Sequence, residues 1–145
     1  MLVTVTFWAT AAPALAADLS KVKVKFSDNI NKDCFNFEGY DPVWGCFKND
    51  FVAWPGHPDL RPDPTIYIKR DIPSALLPYV FLSNLSLYLT VNYSDQELAM
   101  IFNPVPTGNK TYDLRKSAAN SFVTWVLGGK ITPTKANFFR EALLR

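Results

Sequence analysis

At 145 residues the chain fits one domain with one core, and its 48% hydrophobic and 14% aromatic content can build that core without help. Fifteen basic against thirteen acidic residues leave a net charge of +2, too weak a bias to indicate a nucleic-acid surface or an acidic partner. Nothing repeats at a fixed period and no segment is low in complexity.

The first seventeen residues carry no charge. An apolar run from Met1 to Trp8 leads into an alanine-rich stretch, and Ala14-Leu15-Ala16 places small residues where a signal peptidase reads them. A polar start (Asp18, Ser20, Lys21) follows. The pattern predicts a signal peptide over residues 1–16 and a single domain over 17–145, although no Lys or Arg precedes the apolar run. The alternative is a buried strand, because Val3 to Phe7 alternates. The cysteine count favours export to a secreted or periplasmic compartment. Cys34 and Cys46 are the only two, and an isolated pair in an oxidising compartment most simply forms one disulfide. With one distant histidine, His57, they leave a structural zinc site short of donors.

Lys21 to Phe26 alternates strictly, with three lysines on one face and Val22, Val24 and Phe26 on the other, the pattern of a strand with one wet side. Residues 27–64 are irregular and rich in Asn, Asp, Gly and Pro. They hold the cysteine pair, an expected strand at Asp50–Trp54 and the proline-rich loop around His57. The aromatics Phe35, Phe37, Tyr40, Trp44, Phe47, Phe51 and Trp54 read as a small core around the disulfide. A contact surface is the alternative. Thr65–Lys69 reads as a strand bounded by proline and Arg70-Asp71.

The second half is helical. Pro73 and Pro78 suit first helical turns, giving a helix from about 78 to 91. Ser94-Asp95-Gln96-Glu97 is a capping box that opens a short helix through Phe102, and Asn103 to Lys110 is a loop. From Tyr112 to Leu127 the apolar Leu114, Ala118, Phe122 and Val126 recur at helical spacing, and Gly128-Gly129 ends the run. Thr132 and Pro133 open a last helix through Leu144. Strands followed by helices give an α+β fold: a small N-terminal antiparallel sheet with a disulfide-stapled irregular region, then a helical half. No charge occurs between Asp71 and Asp95, a length that could span a bilayer. Two prolines, Asn84, Asn92 and several serines fit a buried central helix better.

Thr65 to Lys69, Leu76 to Leu82 and Tyr88-Leu89 together resemble the strand-to-active-helix passage of small bacterial zinc metallopeptidases of the minimal zincin type. In that family the helix carries His-Glu-x-Gly-His-Tyr-Leu. Asp113 to Val123 is similar to the family's second helix, Glu-x-x-Ala-Asp-x-Phe-Ala, and Gly45-Cys46-Phe47 also resembles exported members. The resemblance covers roughly residues 45–130 and rests on flanking pattern. In the family, two histidines one turn apart hold zinc and the glutamate between them activates its water. Matched residue by residue, the histidines fall on Ser83 and Leu87, the glutamate on Asn84, and the acidic third ligand on Lys116, with Asp113 as the alternative register. Serine and asparagine are poor zinc ligands, leucine is none, and the Lys116 ammonium would repel the metal. The resemblance therefore implies an inactive relative with no catalytic residue, no metal and no cofactor. Its role would be binding or structural, toward a protein or peptide partner that the sequence does not name. The same packing would bring the Ser83 and Leu87 face toward Lys116.

Two other readings stay open: a hydrolase whose site uses other residues, and an unrelated envelope protein. Ser83, Asn84 and Ser86 form a polar patch, but a serine nucleophile needs a base and none is close in sequence. Asn84, Asn92 and Asn109 each head a glycosylation sequon, a short pattern that often matches by chance.

Overall fold

The computed structural model describes residues 21–34, 44–48, 64–91 and 93–144. Among them the chain runs β1 (Lys23–Ser27), α1 (Ile30–Asp33), β2 (Gly45–Lys48), β3 (Thr65–Lys69), α2 (Leu77–Thr90), α3 (Asp95–Ala99), α4 (Lys110–Val126) and α5 (Pro133–Leu144). This is the expected α+β order. The expected strand at Asp50–Trp54, the loop with His57 and most of the aromatic cluster lie outside the described residues. So do the proposed signal segment and Asn92.

The sheet is mixed rather than wholly antiparallel. Its order is β1-β3-β2, with β1 parallel to β3 and β2 antiparallel to it. The physical reason is the connection: β1 and β3 are separated by α1, β2 and their loops, enough chain for the crossover that a parallel pair needs. The sequence reading saw only irregularity between them. Helix α1 is four residues long, too short to leave a periodic signature. It is held by local polar bonds: Asn29 accepts from the Lys32 N–H at 3.1 Å, and Ser27 Oγ donates to Asp33 at 2.5 Å.

Helix α2 is the centre of the molecule. One side rests on β2 and β3 and the other meets α4 and α5. A helix without a charged residue has no face suited to water, so the fold covers it on both sides. Leu82, Leu85 and Leu89 join Ile66, Ile68, Leu114, Phe122 and Phe139 in one core. Among the described residues no helix is long and apolar enough to cross a membrane; the uncharged run is this 14-residue buried helix together with its flanks.

The helix ends follow local chemistry. Ser94 and Glu97 form both arms of the capping box that opens α3, at 3.1 and 3.0 Å. Asn109 caps α4 by accepting from Tyr112 N at 2.9 Å, so that helix begins before the expected Tyr112. Gly128 closes the following turn at φ +91°, a conformation other residues rarely adopt.

Cys34 and Cys46 are bonded, with Cα atoms 6.0 Å apart. The bridge is buried beside Ile30 and half-buried Tyr67, a second small cluster distinct from the main core. It ties the end of α1 to β2. Its sequence separation is 12 residues, and a loop of that size stabilises by about 3 kcal/mol through the unfolded state. Urea unfolding with and without reductant should therefore differ by about that amount, and a Cys34→Ser/Cys46→Ser variant should match the reduced protein.

Candidate functional site

The polar residues of α2 are the most unusual feature of the core. Pro78 sits in the first turn, where its missing N–H removes no helical bond. Beyond it Asn84, Ser86 and Thr90 are buried along with the leucines. Ser83 and Leu87, one turn apart on a common side of the helix, are half-buried, and Leu87 packs on the core.

Each buried polar group has a different fate. The Asn84 amide donates to the Val80 carbonyl at 2.8 Å. It also lies against β2, where glycine is required: a Cβ on Gly45 would stand 2.6 Å from the Tyr67 carbonyl oxygen, 2.8 Å from Val80 and 3.6 Å from the Asn84 amide nitrogen. Thr90 Oγ1 donates back to the Ser86 carbonyl at 2.9 Å, a bond that lets a hydroxyl sit inside a helix. The Ser86 hydroxyl is fully buried and has no hydrogen-bond partner among the described residues.

Helix α4 contributes two charged groups. Arg115 donates to the carbonyls of Thr90 and Tyr93 at 2.6 and 2.8 Å, capping the C-terminal end of α2. Burial draws its guanidinium below the ordinary value, and Asp95, 3.8 Å away, opposes that. Asp113 is buried and accepts from both the hydroxyl and the backbone N–H of Thr107, at 2.5 and 2.8 Å. These two bonds hold its carboxyl below the usual 3.8; Lys116 adds to the effect and desolvation works against it. The pair closes the 103–109 loop onto α4. Beside it a surface groove of about 380 Å³ is lined by Phe102, Pro104, Pro106, Lys110 and Leu114. Its one carboxylate is already engaged by Thr107, so the groove presents apolar surface rather than a general base.

Lys116 is exposed, with its ammonium 5.7 Å from the centre of the Tyr112 ring. Helices α2 and α4 do pack together, but no hydrogen bond or ion pair among the described residues joins Lys116 to Ser83, Asn84 or Leu87. Arg115, which sequence reasoning did not single out, makes the polar link between the two helices. Its position inside an otherwise ordinary helical repeat gave no signal. Among the described residues no three His, Cys, Asp or Glu side chains cluster as metal ligands would. No family model, curated protein or solved structure matches the chain.

What this arrangement does chemically is position and pack. Asn84 and Thr90 are committed to backbone carbonyls, Leu87 is hydrocarbon, and the Ser86 hydroxyl bonds no partner among the described residues. A buried hydroxyl without a partner costs the desolvation of the group. Ser86→Ala should therefore leave stability unchanged or raise it by about 1 kcal/mol in chemical denaturation, whereas Asn84→Ala, which opens a gap beside Gly45, should lower it.

The Asp113 carboxyl titrates lower in the folded chain than in the unfolded one. Its contribution to stability is thus fully present above the ordinary value of 3.8 and is lost as the pH falls below it toward the folded value. Thermal melts taken down through that range should show this acid loss, and Asp113→Asn should flatten it.

Proposed function

We propose that the chain is an exported, non-catalytic binding protein, a minimal-zincin scaffold whose metal site has been replaced by packing. The observation that carries this reading is the state of the helix face on which the family's histidines and glutamate would fall. Asn84 replaces the catalytic carboxylate with an amide that is 4% exposed and bonded to the Val80 carbonyl. Leu87 fills its position with an apolar side chain seated on the core. Lys116 offers an ammonium, which repels a cation, and holds it over Tyr112. A zinc ion needs imidazole, thiolate or carboxylate donors converging on one point, and these residues provide none.

The rest of the chain fits a protein kept for its surface. Strand β3 leads into the central helix and α4 packs against that helix, the order the resemblance implies. The Cys34–Cys46 bridge supports an oxidising compartment, secreted or periplasmic. The scaffold is braced by that bridge on one side and by Arg115 on the other, and neither brace needs a metal.

Two measurements test the proposal. Elemental analysis of protein purified without chelator should give far less than one zinc per chain, and tightly held stoichiometric zinc would overturn the reading. A Ser83→His/Asn84→Glu/Leu87→His/Lys116→Glu variant should bind zinc, with a lower melting temperature because it places polar groups in packed positions. A folded variant that takes up no zinc would count against the zincin ancestry.

A further inference from the structure

The alternation of β1 calls for a buried apolar face, yet most of that face is uncovered. Val22 packs on the main core, but Val24 and Phe26, the next two residues on the same side, are 44% and 49% exposed. They stand beside Ile66 and Ile68 in the parallel register, and those neighbours are buried to 0% and 1%. The apolar face of the sheet therefore continues past the cover that α2 provides. Lys25 on the opposite face is also exposed, as is Lys21 in the turn before the strand.

The backbone of β1 is open as well. Its ladder to β3 uses the Lys23 N–H, which donates to the Pro64 carbonyl at 2.9 Å, and the Ser27 carbonyl, which accepts from Arg70 N at 2.9 Å. In a parallel pair this phase turns the peptide groups of Val24 and Phe26 away from β3. The Phe26 carbonyl has a long contact to Arg70 at 3.4 Å. Nothing among the described residues pairs with the Val24 N–H or carbonyl, and β3 is the only described strand beside β1. Natural proteins rarely leave an edge strand both unpaired and apolar.

We propose that β1 is a docking strand for an extended peptide segment of another protein, one that alternates acidic and apolar residues. The peptide would add to the sheet through the outward peptide groups of Val24 and Phe26. Its apolar side chains would cover the Val24 and Phe26 face, and its carboxylates would lie toward Lys25 and Lys21. Charge selects this occupant over a second copy of the chain, because pairing β1 with itself would set lysines against lysines. The net charge of +2 conceals this strip, because the basic residues of β1 are gathered on one face. The assignment rests on the binding role proposed above and supplies its partner. It lies at the edge of the sheet opposite β2, the strand that touches Asn84 through Gly45.

The test uses the full mature chain, a synthetic peptide of alternating Glu and Val, and its Lys-for-Glu counterpart. The acidic peptide should bind, with backbone NMR shifts centred on Lys23–Ser27, and the basic one should not. Lys21→Glu/Lys25→Glu changes only exposed side chains; it should weaken the acidic peptide by about tenfold and admit the basic one. Val24→Pro, which removes an outward N–H, should abolish both. Equal affinity for the two peptides, shifts elsewhere, no binding, or a dimer in sedimentation that Val24→Pro dissolves would each overturn the proposal. Zinc content and peptide integrity are read in the same samples. Zinc or cleavage counts against the non-catalytic reading alone, and absent β1 shifts count against the docking strand alone.

Discussion

The burial of α2 is the constraint on which the rest of the structure depends. A 14-residue helix without a charged side chain gains most when covered, and a sheet of three short strands can cover only one side of it. The other side is covered by α4 and α5. Each neighbour adjusts to the fit. Gly45 gives up its side chain so that β2 can lie flat against Val80 and the Tyr67 backbone. Phe122 and Phe139, with ring centroids 5.1 Å apart, fill the far side. The polar residues of α2 must then satisfy themselves within the helix, as Asn84 and Thr90 do by bonding carbonyls four residues back.

This also accounts for how a buried helix can hold polar residues. Catalysis needs a donor with a free lone pair or a proton poised to move, in a place that a substrate can reach. In α2 the buried Asn84 and Thr90 side chains are turned onto the backbone, and the buried Ser86 hydroxyl is enclosed by core. The charged residues that could have acted on them are employed elsewhere: Arg115 closes the helix end and Asp113 anchors a loop. Electrostatics in this domain holds segments in place.

The helices were legible in the sequence because each announces itself locally. Ser94 and Glu97 spell a capping box, Gly128-Gly129 a stop, and Thr132-Pro133 a start, and all fall where the structure has them. The α+β order and the disulfide were legible for similar reasons: a run of strand-type alternation before the helices, and two cysteines with no competitors. The parallel pairing of β1 with β3 was not. Partner choice between strands depends on where the intervening chain travels, and that chain contains a four-residue helix and a four-residue strand with no period of their own. Arg115 was missed because its role depends on the end of another helix 25 residues away. Ser83, Asn84, Leu87 and Lys116 were singled out by resemblance. The surroundings of three of them are plain: a carbonyl bond for Asn84, core packing for Leu87 and the Tyr112 ring for Lys116.

Alternation in β1 led the sequence reading to a buried face, and the reason it failed there is informative. Period-two patterning reports that a strand has one apolar face; it does not report what covers that face. For Val22 the cover comes from the molecule's own core. For Val24 and Phe26 the central helix no longer reaches, because α2 rests on β3 and on β2, the edge strand opposite β1. An apolar side chain retained beyond the reach of its own core lowers solubility unless something else covers it, and lysine on the alternate positions limits that cost by repelling copies of itself. On the docking reading proposed above, the lysines that limit self-pairing also favour a partner of opposite charge.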